Sequence, residues 1–139
     1  MRYSFDLLND MFDWFVADSE LMSLLGIDTT ADDALDVENN KLRREYQTDT
    51  NVSADDVPFI SYYMMHSDKT NNNFMVNVGD LYFDVYTDTM YKAGEITKRI
   101  REVIRDKTEI KLLYEGQHYS GVNGVYKYRL IFNPLIYGG

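Results

Sequence analysis

An amphipathic stretch with helical periodicity lies between two pairs of strand-like segments, and this order restricts the folds open to the chain. Residues 90–106 follow a capping residue, Asp88 or Thr89, and carry one apolar stripe with basic side chains mostly away from it. The stripe consists of Ala93, Ile96, Ile100, Val103 and Ile104. The order strand–strand–helix–strand–strand predicts an α+β fold with a mainly antiparallel four-stranded sheet packed against this central helix.

Four segments with strand-like patterns flank this helix. Residues 57–66 and 74–87 form the first expected pair, and residues 110–115 and 124–133 form the second. Within 74–87, apolar side chains alternate with polar and tyrosine side chains, and Gly79 interrupts the alternation. The sequence therefore predicts a bulge at Gly79.

The N-terminal part of the chain divides into a helical and an acidic segment. Residues 1–27 contain two apolar patterns with helical spacing, separated by a capping residue, Asp18 or Ser19. Residues 28–56 are acidic and poor in large apolar side chains, which predicts a long loop or arm. A short helix at 30–37 is the alternative for part of this segment.

One domain is expected over residues 1–139, with a β-β-α-β-β core in residues 57–139. Two long loops, 28–56 and 66–73, are expected to be mobile in the free subunit and to become ordered against partners, because both are polar.

Charge is unevenly distributed along the chain, whose formal net charge is -9. Residues 1–60 carry 14 acidic and 4 basic side chains, whereas residues 61–139 carry 9 acidic and 10 basic ones. This asymmetry allows one end of a molecule to attract the other end of a neighbour, and the alternative is an acidic surface that aids solubility. The acidic balance disfavours specific nucleic-acid binding, which needs a concentrated basic surface.

Membrane association is not expected. The chain has no stretch of about 18–20 apolar residues, and its first residues lack the apolar segment of a signal peptide. We expect a chain that is soluble and intracellular when it is made.

The sequence contains few of the residue patterns that are typical of active sites. The chain has no cysteine, and its two histidines, His66 and His118, lie in loop-like sequence without a third group to orient them. Adjacent acids at 32–33 and 55–56 are typical of helix capping, and no calcium-loop or phosphate-loop pattern is complete. We therefore expect no enzymatic activity, no catalytic residues, no cofactor and no metal.

Two features favour contact with other proteins. The 12 tyrosines and 7 phenylalanines suit half-buried strands and interfaces, because tyrosine joins an apolar ring to a polar tip. A basic run on the 90–106 helix suits an acidic neighbour, for which the acidic half of another copy is a candidate, while a solvated helix face is the alternative. The candidate contact residues are basic side chains of this helix, tyrosines of the preceding strand and polar residues of the 66–73 loop: Lys92, Lys98, Arg99, Arg101, Arg105, Tyr82, Tyr86, Asp68, Lys69 and Asn72.

An ordered set of segments resembles a known family. Residues 18–26 (DSELMSLLG) precede the acidic stretch, and residues 81–86 (LYFDVY) end the first strand pair. Residues 93–104 (AGEITKRIREVI) follow as a helix, and residues 124–132 (GVYKYRLIF) form a tyrosine-rich final strand. In this order the segments resemble the tail terminator, or tail-to-head joining, proteins of long-tailed bacteriophages.

The resemblance implies a non-enzymatic α+β subunit of a virion. Such subunits form a ring, usually a hexamer, at the head-proximal end of the tail tube, where the ring stops tube growth and joins the tail to the head. The implied partners are other copies of the chain, the tail tube protein and a head-completion or connector protein, with DNA passing through the ring. The implied location is the tail or neck of the virion, after assembly in the host bacterial cytoplasm.

Two other classes of protein remain open on sequence alone. A head-completion or stopper protein of the neck has a similar size and differs in which partner it caps. A small intracellular protein-binding module is expected to be a stable monomer with a concave aromatic site.

Overall fold

The computed structural model describes residues 4–48, 50–66 and 79–133, and for Ser4, Phe5 and His66 it describes only the backbone. These residues form an α+β fold, as the sequence predicts. Its helices and strands, in chain order, are α1 (Ser4–Val16), α2 (Ser19–Leu24), α3 (Ala34–Lys41), β1 (Leu42–Arg43), β2 (Phe59–His66), β3 (Gly79–Thr87), α4 (Met90–Lys107), β4 (Lys111–His118) and β5 (Tyr126–Asn133).

The strands form one mixed sheet in the order β1-β2-β3-β5-β4. The pairs β2–β3, β3–β5 and β5–β4 are antiparallel, whereas β1 is parallel to β2, with Leu42 opposite Ile60 and Arg43 opposite Ser61. The predicted four-stranded antiparallel sheet is therefore confirmed for β2 to β5 and corrected by one added parallel strand. A two-residue strand is too short to show alternation, so the sequence pattern did not reveal β1.

Capping residues set where two of the helices begin. The Asp18 carboxylate accepts the Leu21 N–H at 2.9 Å and caps α2. The Thr89 hydroxyl accepts the Lys92 N–H at 3.2 Å and caps α4. Both residues are among the caps that the sequence predicts, because each satisfies a backbone donor that the helix itself leaves free.

The main apolar core lies between one face of the sheet and the helices. The buried side of α4 contains the predicted stripe: Ala93, Ile96, Ile100, Val103 and Ile104. The ring of Phe15 in α1 meets the rings of Tyr62 and Phe83 edge-on, with centroids 5.6 and 5.9 Å away. Because these rings come from α1, β2 and β3, they join the N-terminal helix to the centre of the sheet.

The acidic segment 28–56 contains more regular structure than the predicted loop or arm. It includes α3 and β1, and it buries Leu42 and Val52. Arg43 donates to Gln47 Oε1 at 3.0 Å and to the Asp56 carboxylate at 3.2 Å, which links the middle of the segment to its C-terminal end. Its apolar side chains are few and widely spaced, so their contacts with the sheet do not appear as a periodic pattern.

The expected loop 66–73 lies outside the described residues except for the backbone of His66, and so does the part of the expected strand 74–87 that precedes Gly79. Gly79 lies directly opposite His66 and is the first described residue of β3, so the predicted bulge at this position stays a prediction. A register shift in the described sheet occurs between Leu112 and Tyr114 of β4. The mobility of both loops and the single domain over 1–139 stay predictions.

Candidate functional site

The second face of the sheet is rich in tyrosine and lies away from α1, α2 and α4. Residues 45–48 and 50–57 cover its β2 side, where Tyr46 packs on Tyr63 and the Ser61 hydroxyl donates to the Glu45 carbonyl. Directly paired residues of neighbouring strands point to the same face, so the side chains fall into rows. One row joins Tyr63, Tyr82, Ile131 and Tyr114 across β2, β3, β5 and β4. We call this surface the open face, and define it by this row and the neighbouring side chains Asp84, Lys127, Arg129 and His118.

A buried ion cluster lies at the centre of the open face. Asp84 is fully buried and accepts hydrogen bonds from Arg129 Nε at 2.7 Å, Arg129 Nη2 at 3.1 Å and the Tyr63 hydroxyl at 2.7 Å. Lys127 Nζ lies 3.7 Å from the same carboxylate. Such charge-assisted bonds orient both partners, so the cluster fixes side chains of three strands and leaves no free carboxylate for catalysis.

Burial sets the protonation of the groups around Asp84. Burial and the hydrogen bond to Asp84 raise the pKa of Tyr63, so its hydroxyl stays protonated and donates. Burial lowers the pKa of Lys127, and the attraction of Asp84 opposes this change. Burial, together with the nearby cations Arg129 and Lys127, lowers the pKa of His118 below its ordinary 6.5. The His118 imidazole is therefore mainly neutral at about pH 7.

Strand β4 forms the outer edge of the open face. The Tyr114 hydroxyl lies 3.2 Å from His118 Nε2, and the Tyr114 ring lies over Gly116, where a Cβ atom would collide with that hydroxyl. The side chains of Leu113 and Tyr114 are both exposed. β4 pairs with β5 on one side only among the described strands, and exposed apolar side chains on such an edge strand suit contact with another chain.

The predicted contact residue Arg99 is engaged within the molecule. Its guanidinium donates to both oxygens of Asp18, from Nε at 2.8 Å and from Nη2 at 2.5 Å, and it lies 3.2 Å from Glu20 and 3.5 Å from Glu102. This pair joins α4 to the cap of α2. Arg99 therefore has a role inside the subunit, and its assignment to a contact surface stays a prediction.

The pairing of Asp18 with Arg99 makes one part of the stability depend on pH. The hydrogen bonds from Arg99, opposed by burial, hold the pKa of Asp18 below its ordinary 3.8. A lowered pKa contributes stability that is complete above the ordinary value and is lost as the pH falls through the folded value. We expect Asp18→Asn to lower the urea midpoint at about pH 7 and the difference from the parent chain to shrink below about pH 4.

Asp106→Asn is the matched control for this prediction, because Asp106 is exposed and lies 3.8 Å from Arg105. A surface pair of this kind is worth about 0–1 kcal/mol, so its midpoint should change little at either pH. A constant difference between Asp18→Asn and the parent across the acid range would contradict the assigned role of Asp18.

The other predicted basic residues lie on the exposed side of α4. Lys92 pairs with Asp88 at 3.0 Å, and Arg101 pairs with Glu115 at 3.0 Å, and all four side chains are partly exposed. Arg105 is largely exposed. Lys98 is exposed and forms no ion pair with the other described residues. Lys98, Arg101 and Arg105 are therefore available to a partner.

The predicted tyrosines and loop residues have different outcomes. Tyr82 lies on the open face, where the Arg129 guanidinium carbon is 5.0 Å from its ring centroid. Tyr86 is only 1% exposed and stacks on Phe59 at 4.7 Å, so its assignment to a contact surface is corrected. Tyr82 and Tyr86 alternate with apolar residues in the same way. The alternation in the sequence therefore does not show that the Tyr86 ring is covered while the Tyr82 ring is partly accessible. The three predicted loop residues lie outside the described ranges: Asp68, Lys69 and Asn72.

Sequence reasoning missed the Asp84 cluster. The sequence pattern places Asp84 only on the same face as Tyr82 and Tyr86, and Arg129 only in a tyrosine-rich strand. The available signal is the carboxylate of Asp84 inside the otherwise apolar and aromatic run 81–86, since such a group needs a charged partner. The register that places Arg129 opposite Asp84 is set by the tertiary pairing.

The described residues give little support for a metal site or for catalysis by histidine. Across 4–48, 50–66 and 79–133, no group of three or more histidine or acidic residues is arranged to hold a metal ion. His66 is the last residue of β2, in agreement with the expected strand 57–66, and His118 is the last residue of β4, which corrects its expected position in a loop.

Comparisons with known proteins identify no relative. No family model, no curated protein and no solved structure matches the chain. Within the described ranges, no helix has both the length and the apolar character needed to cross a membrane.

Proposed function

We propose that the chain is a non-enzymatic virion assembly protein of the tail terminator type. Copies form a ring, a hexamer in the proposed form, at the head-proximal end of a phage tail tube. The ring stops growth of the tube and joins the tail to the head through the tail tube protein and a head-completion or connector protein. The protein is assembled in the bacterial cytoplasm and resides in the tail or neck of the virion.

The observation that carries the proposal is the open face. Its β5–β4 side is accessible, since Tyr114 is 43% exposed and Tyr82 and Ile131 are half-buried, so this side offers aromatic and apolar surface to other proteins. The Asp84 cluster holds this surface in one shape, because it links side chains of β2, β3 and β5. A rigid surface loses little conformational entropy on binding, which suits a subunit that has to dock repeatedly in one geometry.

The segments that carry the resemblance also support the proposal by their positions. Residues 81–86 lie in β3, residues 124–132 include most of β5, and these strands pair side by side. Residues 93–104 lie in α4, which packs on the same two strands. The similar segments therefore form one continuous unit rather than separate local matches.

The charge of the chain is compatible with DNA passage through the ring. A formal charge of -9 disfavours retention of phosphate, so DNA can move past the subunits without being held. No specific nucleic-acid contact is part of the proposal.

Deletion of the gene from the viral genome that encodes the chain tests this function. We expect tails of irregular and excessive length, together with DNA-filled heads that carry no tail, in negative-stain electron micrographs of the lysate. Supplying the parent chain from a plasmid should restore tails of uniform length joined to heads.

The same images distinguish the alternatives. Tails of normal length beside heads that have lost their DNA would favour a head-completion or stopper protein. Normal virions without the chain would contradict any role in assembly and would favour the protein-binding module.

A further inference from the structure

A groove framed by cations lies on the helix side of the sheet, at the β4 edge. It encloses about 530 Å³ between α4 and the strands β4 and β5. Its floor is apolar and includes Ile104, Leu112 and Phe132, and its rim carries Lys98, Arg101 and Arg105. We call this feature the basic groove.

The charge of the basic groove is only partly compensated within the described residues. Arg101 pairs with Glu115 at 3.0 Å and Arg105 lies 3.8 Å from Asp106, but both pairs are exposed or partly exposed, and such pairs remain open to a partner. Glu102, the one carboxylate lining the groove, lies 3.5 Å from Arg99. The rim therefore presents more positive than negative charge above an apolar floor, in a chain whose net charge is -9.

A complementary projection lies at the start of α3. Leu35 is 64% exposed, although leucine is usually buried. Three exposed acidic residues lie close to Leu35 in the sequence and form no ion pair with the other described residues: Asp32, Asp33 and Asp36. Asp36 follows Leu35 directly in α3, and Asp32 and Asp33 lie in the turn just before the helix, so all three carboxylates are close to Leu35 along the chain. We call these four residues the acidic knob.

The acidic knob and the basic groove belong to opposite edges of the sheet. Helix α3 contacts β1 and β2, whereas the groove borders β5 and β4, and the strand order is β1-β2-β3-β5-β4. Neighbouring strands are about 4.8 Å apart, so β1 and β4 are separated by about 19 Å. A knob therefore cannot fill the groove of its own chain while the fold is kept.

We propose that the acidic knob of one copy docks in the basic groove of the next copy. Leu35 enters the groove against Ile104, Leu112 and Phe132, while Asp32, Asp33 and Asp36 pair with Lys98, Arg101 and Arg105. The two surfaces are different and lie on opposite edges, so the contact is head-to-tail and repeats into a closed ring or an open filament. The inference deepens the proposed function, which requires copies to assemble.

Charge-reversed variants test this contact. Native mass is measured by light scattering from about 1 µM to about 1 mM protein, over a range of salt concentrations. The groove variant carries Lys98→Glu and Arg105→Glu, and the knob variant carries Asp32→Lys and Asp36→Lys. Each should weaken self-association about 10- to 100-fold, because attraction is replaced by repulsion at two positions. Leu35→Ser should weaken it about tenfold through lost apolar contact.

Mixing the variants gives the decisive result. In an equimolar mixture each groove meets a knob of opposite charge, so association should return to near the parental level. Two control variants change charge outside both surfaces. Lys92→Glu has the same sign of charge change as the groove variant, and Asp55→Lys has the same sign as the knob variant, and both should associate like the parent chain. Circular dichroism checks that every variant is folded.

Three results would overturn the inference: a parent chain that stays monomeric at every concentration, variants that associate as the parent does, or variants that do not recover on mixing. The groove variant also separates this inference from the proposed function. If it rescues the gene deletion fully, the contact is wrong and the function stands. If the parent chain itself fails to rescue, the function is wrong whatever the contact does.

Discussion

Asp84→Ala is expected to destabilise the protein by about 3–5 kcal/mol, because it removes the anion from a buried ion cluster. Asp84 is fully buried, and the side chains of Lys127 and Arg129 are 10% and 17% exposed. Without the carboxylate, two cations remain close together with little water around them. Chemical denaturation in urea at about pH 7 measures the free energy of unfolding.

Two further variants make this prediction specific. Asp88→Ala removes an exposed carboxylate that pairs with Lys92 at 3.0 Å, and it should change the free energy of unfolding far less than Asp84→Ala does. A triple variant with Asp84→Leu, Lys127→Met and Arg129→Met should recover much of the loss, because apolar residues of similar volume often replace a buried ion pair without penalty. A loss below about 1 kcal/mol for Asp84→Ala would contradict the buried cluster.

Phe15→Ala is expected to cost about 3–5 kcal/mol of stability, because it leaves a cavity between α1 and the sheet. The Phe15 side chain is fully buried, and its ring contacts Tyr62 and Phe83. The rings of Tyr62 and Phe83 stack at 5.5 Å and have little freedom to fill the space. The thermal midpoint and the urea midpoint should both fall.

Tyr91→Ala is the control for the aromatic core. Tyr91 is 77% exposed on α4, so its removal should change stability by no more than about 0.5 kcal/mol. Similar losses for Phe15→Ala and Tyr91→Ala would mean that α1 does not pack on the sheet as described.

The elements with strong periodicity were predicted well from the sequence. Helix α4 has the predicted apolar stripe and begins after a predicted cap, because a helix buries one side and leaves backbone donors free at its start. The alternation of Leu81, Phe83 and Val85 likewise places these side chains in the core. These features depend on local geometry, which the chain encodes in residue spacing.

The structure of the acidic segment 28–56 could not be predicted from residue spacing. Strand β1 exists because Leu42 and Arg43 lie beside β2, and neither residue carries a local signal for a strand. The environment of Arg99 is equally non-local, since its partner Asp18 is far away in the sequence. Composition alone did not distinguish Arg99, which is engaged within the subunit, from Arg105, which is exposed.

The sequence by itself determined the α+β class, the order of the central elements and the unequal distribution of charge, because periodicity and charge are properties of the chain. Only the tertiary structure decided that Asp84 meets Arg129, that Tyr86 is buried while Tyr82 lies on the open face, and that the acidic knob and the basic groove belong to opposite edges of the sheet. The physical reason is that strand register and strand order bring distant residues together through many weak contacts, none of which is visible in a local pattern.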